Sequence, residues 1–170
     1  MPLSTHLYNE SLKYLEGQGV AKDVNEAFRL NTAAAADGMH DAVLAMGWFY
    51  RRGIGVELDI EESKRWYRKS ARQKEPRAMF SLGEICYDER DYEEAFVWFN
   101  RAAESGHARS LYWIGMLHWK GRGVPENKSL AKKFFQQAAE KKIYEAQRFF
   151  AFEIFAQTEE YLTKTRAALP

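Results

Sequence analysis

A seven-residue string that occurs three times limits this chain more than any other feature. Tyr14-Leu-Glu-Gly17-Gln-Gly19-Val20 recurs as Tyr50-Arg-Arg-Gly53-Ile-Gly55-Val56 and as His118-Trp-Lys-Gly121-Arg-Gly123-Val124. The first two copies lie 36 residues apart and the next lies 68 further on. Self-similarity at such periods marks a stack of supersecondary units. Because 68 is 36 plus 32, a shortened unit must sit between the second and third copies. The remaining landmarks agree. Gly47, Gly83 and Gly115 share one repeat position, and Trp66, Trp98 and Phe134 share another. A third holds Ala34-Ala35, Ser70-Ala71, Ala102-Ala103 and Ala138-Ala139. The short unit loses its four residues between Cys86 and Asp91.

Each unit reads as two helices. The first runs from a small residue (Ala42, Ala78, Ser110, Ala146) to the Tyr50-type position, with apolar residues at three- and four-residue steps. Gly53 and Gly121 then stand where a helix ends in the left-handed conformation. The second helix opens at Asp23, Asp59 or Asp91, each followed three residues later by Glu26, Glu62 or Glu94. That spacing predicts an N-cap with a reciprocal acid; Asn127 caps the fourth unit without the acid. Paired alanines allow close helix approach, and the second helices end near Gly38 and Gly106. The pattern predicts helices over 4–16, 24–37, 40–52, 60–72, 76–88, 92–105, 108–120, 127–141, 143–157 and 159–168. No segment alternates with the period of two that strands require.

Residues 42–77, through Ala42, Met46, Gly47, Tyr50, Gly53, Gly55, Val56, Asp59, Ser63, Trp66, Ser70 and Ala71, resemble the Sel1-like repeat, a relative of the tetratricopeptide repeat. Residues 78–109 resemble the tetratricopeptide variant, with Leu82-Gly83 followed by Ala95 inside Asp91-Tyr-Glu-Glu-Ala95-Phe-Val-Trp-Phe99. Residues 110–145 return to the Sel1 form, so the likeness covers roughly 6–157. It implies an all-α fold, an α-solenoid of about four to five stacked helix-turn-helix repeats in a right-handed superhelix. A single domain over 1–170 is expected, with units near 6–41, 42–77, 78–109 and 110–145 and a C-terminal cap over 146–170. Two departures stand out: Glu10-Ser11 replaces the usual Leu-Gly, and Phe150-Ala151 has no Gly-x-Gly loop after it. Terminal repeats of such stacks are normally atypical.

Signs of chemistry are few. The net charge is +1, without the basic excess that nucleic-acid binding requires. The one basic stretch, Lys64 to Arg77 with Arg65, Arg68, Lys69, Arg72 and Lys74, reads as a solvated helix face. Cys86 is the sole cysteine, which excludes an intramolecular disulfide and sets the chain apart from the secreted relatives that carry a cysteine pair in each repeat. It reads as a buried structural thiol. His6, His40, His107 and His118 stand at no spacing that would make a helical metal pair. The Gly-x-Gly-Val loops follow helices and lack a Lys-Ser/Thr sequel, so they are not phosphate cradles. The acidic run from Asp88 to Glu94 reads as a turn and helix start. The N-terminus has neither a basic start nor a long apolar run, so no secretory signal is expected, and no stretch approaches the length of a membrane span. The expectation is a cytoplasmic protein of bacterial type, not an enzyme, with no metal, cofactor, nucleic acid or membrane partner.

Aromatics make up 15% of the chain, and many fall on three rows of the first helices. One row is Tyr8, Leu44, Phe80, Tyr112 and Arg148; a second is Leu12, Trp48, Glu84, Met116 and Phe152; a third is Leu15, Arg51, Tyr87, Trp119 and Phe155. By the resemblance, these helices line a concave face. The expected function is that of an adaptor, scaffold or regulator, binding a protein or peptide through Tyr8, Trp48, Arg51, Phe80, Tyr87, Tyr112, Met116, Trp119, Arg148 and Phe152. Apolar anchors and an acidic group are expected of the ligand. Two arrangements of the rows remain open: a solvent-facing groove, or burial against neighbouring second helices. Alanine at Trp48, Tyr112 and Trp119 is expected to abolish capture and keep the helices. The alternatives are a hydrolase, as suggested for secreted relatives, and self-assembly, including a homodimer through the C-terminal repeat around Phe149, Phe150, Phe152 and Phe155.

Overall fold

Every second helix begins on a side chain that the sequence supplies for the purpose. Asp23 accepts from the Asn25 and Glu26 amides, Asp59 from Glu62, Asp91 from Glu94 and Asn127 from Leu130. These bonds satisfy amides that the first helical turn leaves unpaired. The computed structural model describes residues 2–152. It contains α1 (Leu3–Glu16), α2 (Val24–Ala36), α3 (His40–Arg52), α4 (Ile60–Arg72), α5 (Pro76–Asp88), α6 (Tyr92–Glu104), α7 (Ala108–Lys120) and α8 (Lys128–Glu140). The described part of α9 covers 144–152. No strand occurs among the described residues. The architecture is an all-α solenoid of helical repeats. The helix expected over 159–168, and Phe155, lie outside the described residues.

The reciprocal half of the capping box is replaced by another bond. The backbone amides of Asp23, Asp59 and Asn127 donate to the carbonyls of Tyr14, Tyr50 and His118, at 3.0, 3.0 and 2.9 Å. With the cap amide already paired, Glu26 and Glu62 instead bind Arg29 and Arg65 on their own helices. The same bond closes each Gly-x-Gly loop onto the helix before it. Gly53 and Gly121 cap α3 and α7 in the left-handed conformation. The second glycine of each loop answers to packing as well. A Cβ on Gly55 would stand 2.1 Å from the Val24 carbonyl oxygen, and one on Gly123 2.3 Å from the Tyr92 carbonyl carbon. Both loops therefore press on the first residue or two of the preceding second helix, closer than any side chain allows.

Contacts divide the chain into two compact units, Met1–Glu89 and Arg90–Pro170. In the first, α1 to α5 pack successively, and α3 also touches α5. Its core holds Ala34, Ala35, Ala42, Val43 and Met46, flanked by Leu7, Tyr8, Phe28, Met39, Tyr50 and Trp66. In the second, α6 packs on α7 and α7 on α8, around Trp98, Phe99, Ile114, Leu117 and Phe135. Burying one such large side chain contributes about 1.5–3 kcal/mol.

Candidate functional site

One repeat position governs where the first unit is open. Asn31, Tyr67, Phe99 and Phe135 are equivalent residues of the four second helices. Opposite them, on the first helices, stand Ser11, Gly47, Gly83 and Gly115. A Cβ on Gly47 would lie 2.6 Å from the Tyr67 ring, and one on Gly115 2.6 Å from the Phe135 ring. Glycine thus admits a ring that any side chain would exclude. The first repeat has the reverse pair, Ser11 with Asn31. Ser11 Oγ donates to the Ala27 carbonyl at 2.8 Å, while in the next repeat Ser63 Oγ donates to the Gly47 carbonyl at 2.7 Å. The interhelical bond is kept with donor and acceptor exchanged between the helices.

Where the ring is missing, a cleft of about 330 Å³ opens among α1, α3 and α5. Tyr8, Leu12, Leu15, Leu44, Ala45 and Trp48 form apolar walls. The buried Ser11 and Asn31 form the floor, and Asp41, Arg77 and Ser81 also line it. Such sites are mostly apolar with a few placed polar groups. Asn31 donates its amide hydrogen to the Ala42 carbonyl at 3.0 Å. That bond fixes the amide orientation and leaves Oδ1 buried with no hydrogen-bond partner among the described residues.

Charged groups stand at both ends of the α3 stretch that lines the cleft. At one, Arg77 binds Asp41 at 2.9 Å and Glu75 at 2.8 Å. These two carboxylates hold its guanidinium above its ordinary pKa. At the other, one turn beyond Trp48, Arg51 binds Glu84 at 2.9 Å and Asp88 at 3.4 Å. Burial opposes the charge on Arg51, and the Glu84 hydrogen bond together with the Glu84 and Asp88 charges outweighs it, raising its pKa. Burial, aided by the Asp41 charge, raises the Tyr8 hydroxyl, so it stays protonated at neutral pH.

The ten expected site residues are divided between the two units. Tyr8 and Trp48 line the cleft, and Arg51 adjoins it. Phe80 is core, 8% exposed; its row turns inward on α5. Tyr87 is half-buried in the same unit. In the second unit Tyr112 packs against Trp113 and Phe135, and Trp119 against Phe135 and Phe149. Met116 is half-buried, while Arg148 and Phe152 are exposed and stack on each other. Sequence reasoning missed Ser11, Asn31 and Ala45 as lining residues. The sequence carries the signal in Ser11, which departs from glycine at its repeat position, but only the fold pairs it with Asn31 across the helices.

The basic stretch of α4 is partly neutralised. Lys64 is buried between Glu61 and Glu89, and Arg65 is held by Glu62. Among the described residues no three His, Cys, Asp or Glu side chains converge as a metal would require. None of the helices described is long and apolar enough to cross a membrane.

Comparison with known proteins places this geometry. The chain is similar to a solved Sel1 repeat protein from Oxalobacter formigenes, at 35% identity and a TM-score of 0.80, over 86% of this chain and 61% of that one. It is similar also to c5321, a protective antigen of uropathogenic Escherichia coli with an SLR fold, at 30% identity and a TM-score of 0.77, over 81% and 30%. The chitin synthase regulator SKT5 of Saccharomyces cerevisiae is 32% identical over 97 residues, 47% of this chain and 14% of the regulator. The chain therefore spans only part of the length of each. Sel1 repeats are generally protein-interaction modules and typically non-enzymatic scaffolds. Residues 14–39, 40–75, 76–107 and 108–142 each match the Sel1 repeat, and the chain belongs to that family.

Proposed function

We propose that this protein is a non-enzymatic adaptor or regulator that binds a partner protein through the cleft of its first unit. The observation that carries this reading is the cleft itself: an apolar space of about 330 Å³ between first helices, walled by Leu12, Leu44 and Trp48. Concave apolar sites with few polar groups are where ligands bind, and Trp is enriched among residues that dominate binding energy. The yeast regulator adds support at the level of function class. A reducing, cytoplasmic setting belongs to the reading, supported by Cys86, the sole cysteine of the sequence, being buried.

The test is selection of a random twelve-residue peptide library on the wild type and on Trp48→Ala. Trp48 is half-buried, so its truncation spares the core residues beneath. Peptides retained by the wild type and released by Trp48→Ala support the cleft. Retention by both, or by neither, overturns it. The triple alanine variant that includes Tyr112 and Trp119 is unsuitable, because those two rings pack against Phe135.

A further inference from the structure

We propose that the cleft accepts an aromatic side chain carried on a positively charged segment of the partner protein; this rests on the binding reading above. Two observations carry it, one from shape and one from charge.

The shape follows from the repeat. In the second and fourth repeats a ring, Tyr67 or Phe135, fills the space against the facing first helix. In the first repeat Asn31 stands at that position, and the space is open. Its boundaries are aromatic and aliphatic: Tyr8, Leu12, Trp48 and Phe49. A ring from outside would meet the edges and faces that rings favour.

The charge follows from the ion pairs. Arg77 is engaged by two carboxylates, Asp41 and Glu75, and Arg51 by two, Glu84 and Asp88, so each of these ion-pair groups sets two carboxylates against one guanidinium. They stand toward opposite ends of α3, with Leu44, Ala45 and Trp48 between. In place of the acidic group expected of the ligand, this arrangement favours a basic one. Charge complementarity of this kind selects partners and speeds association.

The peptides recovered from the library supply the test. Wild-type selection is expected to enrich a Trp, Phe or Tyr with Lys or Arg within a few residues. Synthetic versions are then titrated by fluorescence anisotropy at low and high salt. Replacing flanking Lys by Glu is expected to weaken binding about tenfold at low salt and less at high salt. Replacing the ring by Leu is expected to weaken it about tenfold. Asp41→Asn with Asp88→Asn is expected to reduce the Lys-over-Glu preference to about threefold, with Ser-flanked peptides unaffected. Acidic or leucine-centred peptides that bind equally well, and are lost in Trp48→Ala, overturn this inference and leave the binding reading standing. Recovery of no peptide overturns both. A concentration-dependent dimer that Trp48→Ala abolishes assigns the cleft to a second copy and overturns the inference as well.

Discussion

The two units run the same repeat to different ends. In both, an acid–base pair at one repeat position joins successive first helices: Asp41 with Arg77 in the first unit, Arg109 with Glu145 in the second, with the signs reversed. The space beside those helices differs. In the second unit Phe135 fills it and is 0% exposed, touching Tyr112, Trp119 and Phe149. Trp113 stacks on Phe99 nearby, with 5.6 Å between centroids. In the first unit Asn31 stands for Phe135 and Ala45 for Trp113, and the cleft is the result. The residue facing a first-helix row from the second helix thus sets how much of the space beside that row is filled.

That contrast breaks most visibly at the shared position itself. Phe135→Ala is expected to cost about 3–5 kcal/mol, the usual effect of deleting a buried ring and leaving a cavity. Asn31→Ala is expected to stay within about 1 kcal/mol, because losing one hydrogen bond to Ala42 is offset by removing an unpaired buried oxygen. Urea denaturation followed by circular dichroism measures both. A large loss at Asn31 would mean that the amide is a structural keystone and that the cleft is incidental.

A subtler experiment converts one kind of repeat into the other. Asn31→Tyr alone is expected to destabilise by about 1–3 kcal/mol through overpacking, since the Cβ of Ser11 occupies the place that Gly47 leaves clear for Tyr67. Adding Ser11→Gly is expected to reverse the sign. The double variant should gain about 1–2 kcal/mol from the buried ring and lose peptide binding. The coupling between the two changes is read from a double-mutant cycle. Additive effects would show that Ser11 and Asn31 do not compete for one space.

Much of this was legible in the sequence, because local and repeated signals coincide. Spacing placed the helices α3, α4, α5 and α7 at their observed ends, and Asp23, Asp59, Asp91 and Asn127 at the caps. The second loop glycine was harder: its close approach to Val24 or Tyr92 is a contact between residues some 30 positions apart. The site was half legible for the same reason. Tyr8 and Trp48 could be picked out by type and row. Phe80 shares those rows and is buried, while Tyr112 and Trp119 are half-buried against Phe135, and nothing along a single helix reveals that. Reading it requires pairing each first-helix residue with the one facing it from another helix.

The ion pairs sharpen the comparison with the smallest effects. Asp41→Asn breaks an exposed pair and leaves Arg77 bound to Glu75, so a stability change of about 0.5 kcal/mol or less is expected. Smaller still are the pairs within single helices of the first unit. The hydrogen bonds from Lys13, Arg29 and Lys64 hold the carboxyls of Glu10, Glu26 and Glu61 below their ordinary range. A carboxyl with a depressed folded pKa stabilises above its unfolded value, and that contribution is lost as pH falls through the folded one. Stability should therefore slip below about pH 4.3, and added salt should blunt the change because all three carboxyls face water. None of these pairs touches the cleft. Peptide affinity should consequently hold in Glu10→Gln and Glu26→Gln and respond to Asp41→Asn, which separates charges that join helices across the site from charges that only decorate one helix. An equal response to all three would mean that the cleft senses net charge alone, and that the clusters on Arg77 and Arg51 have no special standing.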